Sequence, residues 1–107
     1  EAAGIDLVYD VVSAVTEVEN KEGLRLLQNR PNPFHEQTTI GFELPVAGEA
    51  TIKVYNSEGQ FITERKGKYA SGYHEEVFSF ANGSGVLFYE LVTDKGILMR
   101  KMIQIRR

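Results

Sequence analysis

The sequence predicts an all-β fold, an immunoglobulin-like β-sandwich of about seven antiparallel strands. Three observations point there. Short runs rich in Val, Ile, Tyr, Phe and Thr recur along the chain. Most are separated by turns built on Gly, Asn, Asp or Ser. No stretch holds a convincing helical period.

The first run is Ile5-Asp6-Leu7-Val8-Tyr9-Asp10-Val11-Val12, with Ile5, Leu7, Tyr9 and Val11 on one face, and it reads as a strand. After it the chain turns polar and acidic, ending Asn20-Lys21-Glu22-Gly23, which reads as a linker. Residues 1–23 are therefore expected to be the tail of a preceding domain, or an added edge strand, plus an acidic linker. Residues 24–107 are expected to be the domain proper, with Leu24, Leu26 and Leu27 leading into its core.

Arg30-Pro31-Asn32-Pro33-Phe34 marks the entry. Neither proline can donate to a ladder, and each drives the preceding residue into an extended conformation. Asn32, between them, is expected to bond its own backbone as a turn former. Ile40, Phe42 and Leu44 then share one strand face, opposite Thr39, Gly41 and Glu43. In Glu49 to Tyr55, the inward residues are Ala50, Ile52 and Val54. Asn56-Ser57-Glu58-Gly59 is a turn in which Gly59 supplies a positive φ. Gln60 to Arg65 returns as a strand, and Lys66 to Gly72 reads as an exposed loop.

Tyr73 to Phe80 is a strand with Val77, Phe78 and Phe80 as core candidates. Val86 to Val92 is apolar on both faces, which predicts a central strand buried on both sides. Asp94-Lys95-Gly96 turns the chain into a last strand, Ile97 to Ile105. Phe42, Phe61, Phe78, Phe80 and Phe88 are the expected aromatic core.

Composition bounds the function. The 107 residues carry a formal net charge of −3 and 42% hydrophobic residues, enough for one core and without the basic excess of a general nucleic-acid binder. There is no Cys, so neither a disulfide nor a thiolate metal site is available. No apolar run approaches the roughly 18 residues of a membrane helix. The chain begins at Glu1 without a signal-like stretch, so it reads as part of a longer protein.

Chemistry has little to work with. His35-Glu36 and His74-Glu75-Glu76 are the only groupings a metal could use, and nothing in their spacing makes them converge. The acids before Gly23 are too spread for calcium. Ser84 in Asn82-Gly83-Ser84-Gly85 lacks the spacing of a nucleophile elbow, and these glycines open no helix that would cradle phosphate. The sequence predicts no catalysis and no cofactor.

One resemblance adds a function. Leu27-Gln28-Asn29-Arg30-Pro31-Asn32-Pro33-Phe34, then Thr38-Thr39-Ile40-Gly41-Phe42 and Leu44-Pro45, resembles the opening of the type A C-terminal sorting domains of the type IX secretion system. Ile52-Lys53-Val54-Tyr55, the turn ending at Gly59, and Gly72-Tyr73-His74 continue the likeness. Gly85 to Leu91, Lys95-Gly96 and Lys101-Met102-Ile103-Gln104-Ile105 close it.

The resemblance implies a secretion address for an upstream cargo domain in the same chain. Cargo would reach the periplasm and then pass an outer-membrane translocon to the surface or medium. A sortase-like peptidase would remove the domain and join cargo to an anionic lipopolysaccharide. Pro31, Asn32, Pro33, Phe34 and Gly59 would be the structural motif. Gly85, Tyr89, Leu91, Gly96, Lys101, Met102, Ile103 and Ile105 would be read by the machinery. The last strand is expected to offer an unpaired edge, with Ile103 and Ile105 inward and Lys101 on their face near the rim. The competing expectation is a structural or carbohydrate-contacting module, with Tyr69 and Tyr73 as an exposed aromatic pair.

Overall fold

The computed structural model describes residues 23–107. The expected first strand, residues 5–12, and most of the linker lie outside them. Seven strands form in order: β1 (Arg25–Leu26), β2 (Gln37–Leu44), β3 (Gly48–Asn56), β4 (Phe61–Tyr69), β5 (Gly72–Ser79), β6 (Gly85–Thr93) and β7 (Gly96–Gln104). They pair antiparallel in two sheets, β1-β2-β5 and β4-β3-β6-β7. The fold is a β-sandwich, as the sequence predicts.

Alternation decides which side chains fill it. Thr38, Ile40, Phe42 and Leu44 of β2 meet Ala50, Ile52 and Val54 of β3 across one core. Leu87, Tyr89 and Leu91 of β6, with Leu98 and Met102 of β7, complete it. Each large apolar side chain buried this way contributes about 1.5–3 kcal/mol. Gly41 is buried on the other face of β2, where a Cβ would run into the Tyr73 ring. A glycine there lets an aromatic from the neighbouring strand lie flat on the backbone.

Several expectations are corrected. Phe61 is 57% exposed. A register shift between Val54 and Tyr55 sets it opposite Tyr55, the two rings 6.3 Å apart on the outer face. Val77 is 47% exposed while Phe78 is buried, because neighbours in a strand point to opposite faces. Phe80 is half-buried against the core. The expected loop from Lys66 is mostly strand, because β4 runs to Tyr69. β6 is central, between β3 and β7. Its second face is buried only at Phe88, with Val86, Glu90 and Val92 half-buried. Leu24 and Leu26 are fully buried, but Leu27 only half.

The Gly59 turn forms as expected. Asn56 Oδ1 accepts from the backbone N–H groups of Glu58 and Gln60, both at 2.9 Å, and Gly59 takes φ +83°. Nothing lies within 4 Å of where its Cβ would sit, so substitution there costs only backbone strain. Gly59→Val is expected to destabilise by about 1–2 kcal/mol. A thermal melt matching the parent would contradict this.

Candidate recognition surface: the last strand and the proline segment

The segment between β1 and β2 runs alongside β7 in the same direction and closes part of its edge. Arg100 Nε donates to Leu26 O at 2.6 Å, and Gln28 Nε2 donates to Lys101 O at 2.8 Å. Ile103 N donates to Asn32 Oδ1 at 2.9 Å. Phe34 N then donates to Ile103 O at 3.0 Å, and Ile105 N to Phe34 O at 2.9 Å. His35 Nδ1 lies 3.0 Å from Ile105 O. Phe34 and Gln104 therefore form a parallel bridge. The peptide bonds Arg30–Pro31 and Asn32–Pro33 are both cis.

Buried side chains hold this segment in place. Tyr89 is fully buried, and its hydroxyl donates to Leu27 O (2.6 Å) and accepts from Asn29 N–H (2.9 Å). Asn29 is buried too, and its Nδ2 donates to Pro31 O and Thr38 Oγ1. Gln104 Nε2 donates to His35 O at 2.6 Å and Ala81 O at 2.8 Å. Phe34 packs on Phe80, 5.7 Å between ring centres.

This arrangement overturns two expectations. Asn32 caps the amide of Ile103 rather than its own backbone. The final strand is not an open edge from Lys101 onward. Its face assignment is also reversed. Met102 and Gln104 point inward, while Ile103 and Ile105 are 38% and 42% exposed. Lys101 shares their outer face.

The residues singled out for recognition thus divide. Gly85, Lys101, Ile103 and Ile105 are exposed, and Gly96 is half-buried in the β6–β7 turn. Tyr89, Leu91 and Met102 are fully buried and unavailable to a partner meeting the folded surface. Asn29, Gln28, Thr38 and Gln104 were not singled out by sequence reasoning. Only the polar Gln104, following Met102 and Ile103 in an apolar run, carried a signal of its own.

Other candidates are dispersed. Among the described residues no group of three or more His, Cys, Asp and Glu converges on a metal position. His74 Nε2 sits 2.7 Å from Ala70 O. Tyr69 packs edge-on against Phe42 in the core, while Tyr73 covers Gly41 on the outer face, so the two rings share no platform. Glu75 accepts from Tyr73 Oη and Arg30, which together hold its carboxyl below the ordinary range. That cluster is exposed and adds little to stability.

The secretion system C-terminal sorting domain family matches residues 30–106. The chain belongs to that family. The type IX sorting domain anticipated from the proline segment is thereby established, and such a domain marks its chain for the cell surface or secretion. No curated protein matches the chain. Among solved structures, the chain is similar to dimeric latent PorU from Porphyromonas gingivalis, at 16% identity and a TM-score of 0.59. The match covers 78% of this chain and 10% of that one, and it shows the fold alone.

The buried hydroxyls of this sorting domain make two predictions. Tyr89→Phe strands the Asn29 amide and the Leu27 carbonyl, and is expected to cost about 1–3 kcal/mol in a denaturant titration. An unchanged midpoint would mean that water replaces the hydroxyl. Burial first, then the bonds to Glu90 and Glu76, raises Tyr55 and Tyr69 from 10.0 to about 12. Burial moves Tyr89 the same way. The fold holds the neutral phenols, so this stabilisation is whole below about pH 10 and is lost as pH rises towards about 12. Melts across that window should fall steadily, and less steeply in Tyr69→Phe. A flat profile to pH 12 would contradict the assignment.

Proposed function

We propose that the outward row formed by Lys101 and Ile103 of β7 and by Ile105 just beyond it is the surface by which the outer-membrane machinery reads this sorting domain. The supporting observation is the exposure of two isoleucines in a row whose alternate residues Met102 and Gln104 anchor the core. Exposed aliphatic side chains beside a lysine offer an apolar contact with a charged rim, and the fold keeps them in fixed register. The upstream cargo would travel from the periplasm through the translocon with the domain already folded. Removal by a sortase-like peptidase and attachment of cargo to anionic lipopolysaccharide complete the proposal, supported by family membership.

Deleting the strand would confound recognition with folding, since it removes buried Met102 and Gln104. The cleaner variant is Lys101→Ala with Ile103→Asn, both at exposed positions, where shifts in stability stay within about 0.5 kcal/mol. A reporter fused ahead of the domain, in a host with the type IX machinery, is expected to remain in the periplasm while the melt stays parental. Export at the parental level would overturn the assignment of this surface. Mass spectrometry of exported parental reporter tests the processing step. Every exported chain retaining the intact domain would overturn removal by the peptidase.

A further inference from the structure

The outer face of the larger sheet buries one large aromatic away from the core. Phe88 is only 7% exposed, yet the residues of β6 that join the core cluster are its alternates Leu87, Tyr89 and Leu91. Its ring therefore stands on the solvent side, with Tyr55 of β3 and Lys101 of β7 as cross-strand neighbours. One row along, Glu90 lies between Lys53 and Met99. Tyr55, Gly59, Phe88, Glu90 and Met99 line a pocket of about 210 Å³ there.

Two rings and a thioether make its walls apolar, and Glu90 is the one charged group among them. The Tyr55 hydroxyl donates to Glu90 Oε1 at 2.9 Å. Burial first, then this bond, raises the phenol to about 12, so it stays a donor at neutral pH. The carboxylate is thus held half-buried against a ring. Among the described residues no cation pairs with it. Lys53 is the cross-strand neighbour of both Glu64 and Glu90 and pairs with neither. A partner that filled the pocket with apolar atoms alone would strip water from this carboxylate and replace it with nothing. A cation removes that cost.

Size and wall chemistry select the cation. At about 30 Å³ per liquid water, the pocket has the volume of roughly seven waters. That suits the end of one side chain and falls short of the roughly 300 Å³ of a pocket for a drug-sized ligand. A guanidinium is planar, weakly hydrated and stacks on aromatic faces, whereas an ammonium holds its water strongly. Glu64 is close enough to push the Tyr55 phenol up further. A free amino acid would bring its own carboxylate towards Glu64 and Glu90, which favours an arginine inside a peptide chain.

We infer that this pocket takes an arginine side chain of a partner protein, its guanidinium bonded to Glu90 and stacked on the Tyr55 or Phe88 ring. The inference goes beyond the reading of Lys101, Ile103 and Ile105, and it stands if that surface is misassigned.

NMR on the full chain tests it, with Nα-acetyl-arginine amide as the probe because its blocked ends mimic a peptide chain. Saturable shifts of the Met99 methyl and of the Tyr55 and Phe88 rings are expected, with a dissociation constant of the order of mM. Binding should weaken as salt is raised. Nα-acetyl-lysine amide and free arginine should each bind several-fold more weakly, a comparison that needs no variant. Glu90→Gln keeps an acceptor for Tyr55 and removes the charge, so affinity should fall about tenfold while the melt stays parental. No saturation through the mM range, or parental affinity in Glu90→Gln, would overturn the inference. Equal binding of the lysine probe would overturn the guanidinium, and equal binding of free arginine would overturn a protein partner.

Discussion

A phenol buried in the centre of a sheet must bond its hydroxyl within the protein, because the interior offers no water to replace a partner. In this sandwich the partners of Tyr89 are the backbone of Leu27 and Asn29, outside either sheet's ladders. That bond fixes Asn29, whose amide sets Pro31 and Thr38. The position of Pro31 determines where Asn32 meets Ile103. One hydroxyl on the larger sheet thus places the segment that joins the two sheets and covers half of the last strand.

The covering restricts what a partner can touch. From Lys101 to Ile105 the backbone is committed to the proline segment, so recognition there uses outward side chains. The opposite flank is held by a separate tie. Arg65 of β4 bonds Glu76 and the Val77 carbonyl of β5, with its guanidinium 4.6 Å from the Phe78 ring centre. One flank of the sandwich is therefore linked across sheets by side chains, and the other by side chains together with the short Phe34–Gln104 bridge.

The short β1 was not expected as a strand, whereas the all-β sandwich, the β3–β4 and β6–β7 hairpins and the faces of β2 and β3 were legible in the sequence. Their apolar residues alternate with polar ones, and only one face fits a core. β7 was not legible in this way. Its outward set holds Ile97, Met99 and Ile103, with Ile105 just beyond, whereas its inward set includes Arg100 and Gln104, so hydrophobicity selects the wrong face. The two-residue turn pairing Thr93 with Gly96 fixes the register instead, and Leu98 and Met102 follow it inward. Phe61 was misplaced for a related reason, because a bulge changes parity without a mark in the hydrophobic pattern. The polar network around Asn29 was invisible because its partners are backbone groups. The proline segment itself was legible as a family signature, but its role as a cover for β7 was not.

The direction of that cover has a mechanical meaning. Residues 26–34 and β7 run the same way, so a chain pulled at Gly23 and at Arg107 drags the two past each other along their length. The bonds from Gln28, Asn32 and Phe34 to β7 then share the load and must yield together. A hairpin pulled at its open end loses its rungs one at a time and resists far less. Tension along the chain is consequently met at this join by bonds loaded together and not one after another.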